Sequence, residues 1–211
     1  MSIAIIDYEA GNLRSVEKAF GALGFAAKIT SNPEEILSAK GVVLPGVGSN
    51  DAALLKLRES KLDQVINEIV SKNMPFLGIC LGYQMLFESS EEGMLPGLAI
   101  FKGTVKKFDF DVSVPSSKLS IPHMGWNGLL LNPDNNAPIY SGIPNGSMVY
   151  FAHSYYPDPI DRKLVATETD YGIKFCSSIA KDNLFALQFH PEKSGSIGLK
   201  ILENFGKLCL K

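Results

Sequence analysis

Short, continuous apolar runs alternate with helical stripes through the first part of the chain. Ile3 to Ile6 is unbroken apolar sequence ending at Asp7, and a Gly11-Asn12 turn leads into a stripe of Leu13, Val16, Phe20 and Leu23. Ala26 to Ile29 predicts a second strand. Asn32-Pro33-Glu34-Glu35 then predicts a short capped helix, with proline in its first turn and acidic side chains at its positive dipole end. Gly41 to Leu44 is a third strand, stopping at the glycine-rich Pro45-Gly46-Val47-Gly48, which opens a helix around Ala52 to Arg58. Leu62, Val65, Ile66, Ile69 and Val70 mark the next amphipathic helix, and Phe76 to Ile79, bounded by Pro75, the next strand. Uniformly apolar strands alternating with helices predict an open, mainly parallel α/β sheet, whose ligands gather at the carboxyl ends of the strands. Both Pro45-Gly46-Val47-Gly48 and Cys80 fall at such ends.

Beyond about Gly93 proline and glycine become denser and short β-rich runs take over: Ile100 to Phe108, Met148 to His153, Leu164 to Thr169, Phe175 to Ala180 and Leu184 to Phe189. These predict antiparallel additions at the sheet edge within a single domain spanning residues 1–211. Gly195 to Leu208 closes the chain with an amphipathic helix on Ile197, Ile201, Leu202, Phe205 and Leu208. Phe110 to Ile121, containing Ser113, Pro115, Ser116 and Ser117, is expected to be a mobile loop. A length of 211 residues, 45% hydrophobic and 20% charged, suits one globular domain with a substantial core. The formal net charge of −2 leaves no electrostatic footprint for nucleic acid. With no apolar stretch of membrane-spanning length and no basic-then-apolar leader, a cytoplasmic location is the expectation. Cys80, Cys176 and Cys209 have no paired spacing, so neither a disulfide framework nor a metal site is expected.

The candidate chemistry centres on Cys80. The sequence passes there from an apolar strand to a helical pattern on Tyr83, Leu86 and Phe87, and Gly78 and Gly82 flank the turn. A tight strand-to-helix turn holds a nucleophile at the mouth of a sheet, and a helix start favours a thiolate. Taken alone, Phe76 to Cys80 also reads as plain core. His190-Pro191-Glu192 follows another apolar run. The proline favours an extended His190, and in extended chain Glu192 would lie on the same side as the imidazole, giving base and orienter. The alternative is a solvated turn. Backbone amides of Val47, in the glycine-rich loop, and of Leu81, next after the nucleophile, are candidate oxyanion donors; an ordinary turn is the bland reading.

The order of these segments resembles the class I, triad-type glutamine amidotransferase family: Pro45-Gly46-Val47-Gly48, then Gly78-Ile79-Cys80-Leu81-Gly82-Tyr83-Gln84, then His190-Pro191-Glu192. Asp7-Tyr8-Glu9-Ala10-Gly11-Asn12-Leu13, Ile121-Pro122-His123-Met124-Gly125-Trp126-Asn127 and Tyr150-Phe151-Ala152-His153-Ser154-Tyr155-Tyr156 resemble, within it, the glutaminase subunits of imidazole glycerol phosphate synthase. The resemblance implies a flavodoxin-like three-layer core without metal or organic cofactor. It implies Cys80 attacking the side-chain amide of glutamine and His190 passing a proton to the departing ammonia. Gln84, Glu92 and backbone groups of Gly46, Ser154 and Tyr155 would read the amino-acid end of the substrate. It further implies a heterodimer with a (β/α)8-barrel cyclase subunit. Asn12, Tyr150, Lys193 and the stretch of Pro122, His123, Met124, Trp126 and Asn127 would face that partner, with Trp126 as an aromatic anchor on a loop. Trp126 read without the family is a buried core aromatic, and His123 and His153 are interface or structural residues, not catalytic ones. A glutaminase serving anthranilate, aminodeoxychorismate or pyridoxal phosphate synthesis, and a catalytically silent regulatory homologue, remain open at this level.

Overall fold

The computed structural model describes residues 3–9, 11–110 and 119–210. Its elements in chain order begin with β1 (Ile3–Ile6), α1 (Leu13–Ala22), β2 (Ala27–Thr30), α2 (Pro33–Leu37), β3 (Gly41–Gly46), α3 (Asn50–Glu59), α4 (Leu62–Ser71), β4 (Phe76–Cys80) and α5 (Leu81–Gln84). There follow β5 (Phe87–Ser90), β6 (Phe101–Lys107), β7 (His123–Gly128), β8 (Leu130–Leu131), β9 (Met148–His153) and β10 (Tyr155–Pro159). The chain ends with β11 (Val165–Asp170), β12 (Lys174–Lys181), β13 (Leu184–Leu187) and α6 (Gly195–Leu208).

The main sheet has eight strands in the order β2-β1-β3-β4-β13-β12-β11-β8. From β2 to β13 neighbouring strands are parallel, and β12, β11 and β8 continue the sheet antiparallel. Because side chains alternate across a strand, β1 feeds two cores. Ile3 and Ile5 join Val16 and Phe20 of α1 and Ile201 and Phe205 of α6 on one face. Ala4 and Ile6 join Ile36 of α2, Leu54 of α3 and Ile66 of α4 on the other. The architecture is therefore a three-layer α/β sandwich, and the continuous apolar runs of β1, β3 and β4 are what burial on both faces demands. Asn32 caps α2 as the sequence predicts, its Oδ1 accepting from the amides of Glu34 and Glu35 at 2.9 and 3.4 Å.

The β-rich second half adds β12, β11 and β8 to the sheet edge as antiparallel strands, as expected, and contributes more besides. Its strand β13 is parallel and sits next to β4, while β5, β6 and β10 form a separate three-stranded sheet and β7 and β9 a two-stranded one. The helix after Cys80 stops at Gln84, and Phe87 begins a strand. The carbonyls of Met85 and Leu86, which a longer helix would use, accept instead from the amides of Leu98, Ile100 and Phe101. The stretch around Trp126 is strand β7 rather than a loop. The predicted mobile loop lies largely in residues 111–118, outside the described residues.

Candidate active site

Cys80 ends β4 and starts α5 with φ 55° and ψ −110°, a region that non-glycine residues enter at a cost of about 1–3 kcal/mol. Its surroundings impose that conformation. Gly46 and Cys80 are register partners on β3 and β4, and the chain then turns so sharply that α5 rests on β3. A Cβ on Gly82 would lie 1.9 Å from the carbonyl oxygen of Leu44, so only glycine permits the approach. A Cβ on Gly46 would meet the Tyr8 hydroxyl at 2.5 Å, and that hydroxyl instead donates to the Pro45 carbonyl at 3.0 Å, fastening the start of the glycine-rich loop. Burial, and then the charge of Cys80, raise the Tyr8 pKa above its ordinary value.

His190 reaches the same place from β13. It is extended, at φ −98° and ψ 96°, as the following proline favours. Its amide donates to Tyr150 O at 2.9 Å, and its carbonyl accepts from Ser194 Oγ at 2.6 Å, so its backbone is clamped on both sides. His190 Nδ1 lies 2.9 Å from Glu192 Oε1. The two side chains meet by a different route from the one the sequence suggested. Pro191–Lys193 is a single 3-10 turn, which folds Glu192 back to the imidazole in place of an extended strand. Asn12 Nδ2 donates to the same Glu192 oxygen at 2.7 Å. Burial by itself would lower the His190 pKa, but hydrogen bonds with Cys80 and Glu192, and their charges, carry it up to about 10. A carboxylate on Nδ1 directs Nε2 towards the sulfur.

Cys80, His190 and the candidate oxyanion residues Val47 and Leu81 open on one cleft of about 310 Å³, with Gln84, Glu92, Ser154 and Tyr155 around it. Gly46 lies buried just behind, against Glu192 and Val47. Gln84 Nε2 donates to Tyr155 O at 2.9 Å and to Gln188 Oε1 at 3.0 Å, which uses both of its hydrogens and leaves its oxygen to face a ligand. Glu92 accepts from the Asn50 amide at 3.2 Å. Burial raises its pKa against that bond, with the charge of Asp51 adding to the rise. A half-buried carboxylate at the cleft wall is suited to a ligand ammonium.

Gln188 escaped the sequence argument. It is fully buried, and because Oε1 is fixed by Gln84, its Nε2 is turned towards Cys80 Sγ at 3.8 Å. The only signal in the sequence was one amide inside the apolar run from Leu184 to Phe189. Asn12, expected at a partner surface, is half-buried beside the triad, where its side-chain amide donates to Glu192.

The partner-facing residues divide by strand alternation. Met124 and Trp126 on β7 are 62% and 54% exposed, and Pro122 is exposed beside them. Tyr150 on β9 pairs with Trp126 in register, ring centroids 6.2 Å apart, and Lys193 Nζ stands 5.9 Å from the Tyr150 ring. His123 and Asn127 occupy the opposite face of β7. His123 is 3% exposed, which fits its structural reading and not a surface contact, and Asn127 is half-buried with its side-chain amide bonded to Asp170 O.

The family model for class-I glutamine amidotransferases matches residues 4–208. Over 205 residues the chain is 52% identical to the imidazole glycerol phosphate synthase subunit HisH of Thermosynechococcus vestitus, covering 97% of this chain and 95% of that protein. It is 47% identical to the subunit of the same name from Dehalococcoides mccartyi, covering 99% and 98%. A solved glutamine amidotransferase superposes with a TM-score of 0.73 over the full length of both chains at 16% identity, a likeness of fold.

Proposed function

Since the chain belongs to the class-I glutamine amidotransferases, and among them to the imidazole glycerol phosphate synthase subunits, we infer that it is a glutaminase supplying ammonia for histidine biosynthesis. The observation that carries the mechanism is the strained Cys80 facing a buried His190–Glu192 pair in one cleft.

In this reading Cys80 sulfur attacks the side-chain amide carbon of glutamine, and the carbonyl oxygen gains the charge. Amides of Val47 and Leu81 are assigned to stabilise it, each such donor being worth about 10²- to 10³-fold in rate. His190, protonated on Nε2, gives its proton to the leaving nitrogen, and ammonia departs from a glutamyl thioester. The imidazole then takes a proton from water, which opens the thioester to glutamate and restores the thiolate. Glu192 holds Nδ1 throughout and balances the imidazolium. Gln84 oxygen and Glu92 receive the substrate ammonium, and backbone groups at Ser154 and Tyr155 its carboxylate. The reading places the chain in the cytoplasm; among the described residues no helix is long and apolar enough to cross a membrane.

The chain acts as a subunit, and the partner in this reading is a (β/α)8-barrel cyclase. Ammonia protonates in water, so it must pass directly to an open-chain aminoimidazole ribonucleotide bound there, which yields imidazole glycerol phosphate and aminoimidazole carboxamide ribotide. The face of Met124, Trp126 and Tyr150 beside the cleft supports docking there, because exposed aromatic anchors next to a site make effective hot spots. The test is trapping with a diazoketone analogue of glutamine followed by peptide mapping. Label on Cys80, and no glutamine hydrolysis by Cys80→Ala in the reconstituted pair, are expected; label elsewhere, or full turnover by the variant, overturns the mechanism.

A further inference from the structure

Two imidazoles that the reaction does not use lie at the cleft: His153 is in its wall, and His123 stands beyond it. His123 Nδ1 on β7 is 3.0 Å from His153 Nε2 at the end of β9. One fixed end determines the role of every nitrogen. The Tyr155 carbonyl can only accept, so His153 Nδ1, 2.8 Å away, carries its hydrogen. His153 Nε2 is then the acceptor and His123 Nδ1 the donor. His123 Nε2 is left to accept, and Asn127 Nδ2 stands 3.4 Å from it. The Asn127 amide cannot turn round, because Nδ2 also donates to Asp170 O at 2.9 Å and Oδ1 accepts from the Gly128 amide at 2.8 Å.

The chain of donors therefore runs one way, from Asn127 through His123 and His153 to the Tyr155 carbonyl, and it exists only with both rings neutral. The surroundings keep them so. Tyr171 and Phe151 stack on His123 with centroids 3.8 and 4.8 Å away, and Phe175 and Phe108 pack on His153 at 5.1 and 5.3 Å. Burial in this aromatic box takes His123 down to about 4 and His153 to about 3. The Tyr155 oxygen also accepts from Gln84, so a single carbonyl joins the imidazole chain to the amide that faces the ligand.

We propose that His123 and His153 are positioning residues for glutamine: they hold the Tyr155 carbonyl, and through it the Gln84 amide, in the orientation that receives the amino-acid end of the substrate. The proposal rests on the glutaminase reading and adds to it residues that never touch the reacting atoms. Their loss weakens recognition of the substrate and leaves the thiol chemistry intact.

The test compares steady-state glutamine hydrolysis, in the complex with the partner subunit, with the rate at which iodoacetamide labels Cys80, since that reagent lacks an amino-acid end. In His123→Leu and His153→Leu the KM for glutamine rises about tenfold, the effect of about one lost hydrogen bond, while kcat and the labelling rate stay within about twofold. His123→Asn, whose amide nitrogen takes the place of Nδ1, recovers most of the KM. If the leucine variants do not fold, Asn127→Ala carries the test, with KM expected to rise about threefold through loss of the far donor. An active wild type with unmoved KM in the folded variants overturns the proposal, as does a parallel fall of kcat, labelling and melting temperature without rescue by asparagine. A wild-type complex that hydrolyses no glutamine overturns the glutaminase reading first, and the positioning proposal with it.

Discussion

His190 holds a proton that burial alone would remove, because a thiol and a carboxylate flank the ring. Its folded pKa, about 10, lies above the ordinary value of 6.5, so the folded chain binds an extra proton between those limits. The stability from this group is complete below the lower value and is lost as pH rises through the upper one. Urea unfolding of the wild type should therefore show stability declining from about pH 7 to about pH 10, with a shallower decline in His190→Asn; equal slopes would refute the assignment. Gln188 gives a second residue-scale prediction. Its Nε2 donates towards the sulfur at 3.8 Å, so Gln188→Leu should slow iodoacetamide labelling of Cys80 by about tenfold, the effect of about one lost hydrogen bond. Cys80, His190 and Glu192 were legible because each sits in a local pattern, a glycine-flanked turn or a proline-fixed strand end. Gln188 and the inward aim of His123 were not, since an amide in an apolar run, or a histidine on a strand, acquires a partner only through long-range packing.

At the scale of elements, the turn between β4 and α5 depends on backbone meeting backbone. Gly82→Ala forces its methyl onto the Leu44 carbonyl, which belongs to a central strand with no room to withdraw. A loss of about 1–3 kcal/mol in urea unfolding, or failure to fold, is expected; a neutral alanine would show that the elbow relaxes easily. Asn32→Ala, by contrast, removes only the cap of α2 and should cost about 1 kcal/mol without touching the site. Elements with strong periodicity, such as α1, α4 and β1, were legible from the sequence. Strand β7 was not: His-Met-Gly-Trp-Asn-Gly has no β-branched residue and two glycines, and its extended form is set by pairing with β9. Strand β10 carries two prolines and hides for the same reason, its partner being the distant β6.

For the whole molecule, the decisive step is the insertion of β13 beside β4. It brings a segment from the end of the chain to the middle of the sheet, with Leu187 opposite Ile79, so that the residues following each strand share one edge. No local signal announces a neighbour more than a hundred residues away: the apolar run from Leu184 to Phe189 reads as an antiparallel edge strand, and the family resemblance implied only that Cys80 and His190 act together. The same edge places β7 and β9 over the cleft mouth, with Met124, Trp126, Met148 and Tyr150 on the outward face and the imidazole pair on the inward one. A partner seated on that face would bury Trp126 near the centre of the contact, and Trp126→Ala should weaken the complex by about 2 kcal/mol, roughly a thirtyfold rise in Kd. Calorimetric titration of the two subunits measures this directly. Trp126 is not among the residues that line the cleft of Cys80 and His190, so labelling of Cys80 by iodoacetamide in the isolated chain should be unchanged in the same variant. Unaltered affinity would mean that the exposed aromatic face is not where the partner subunit sits.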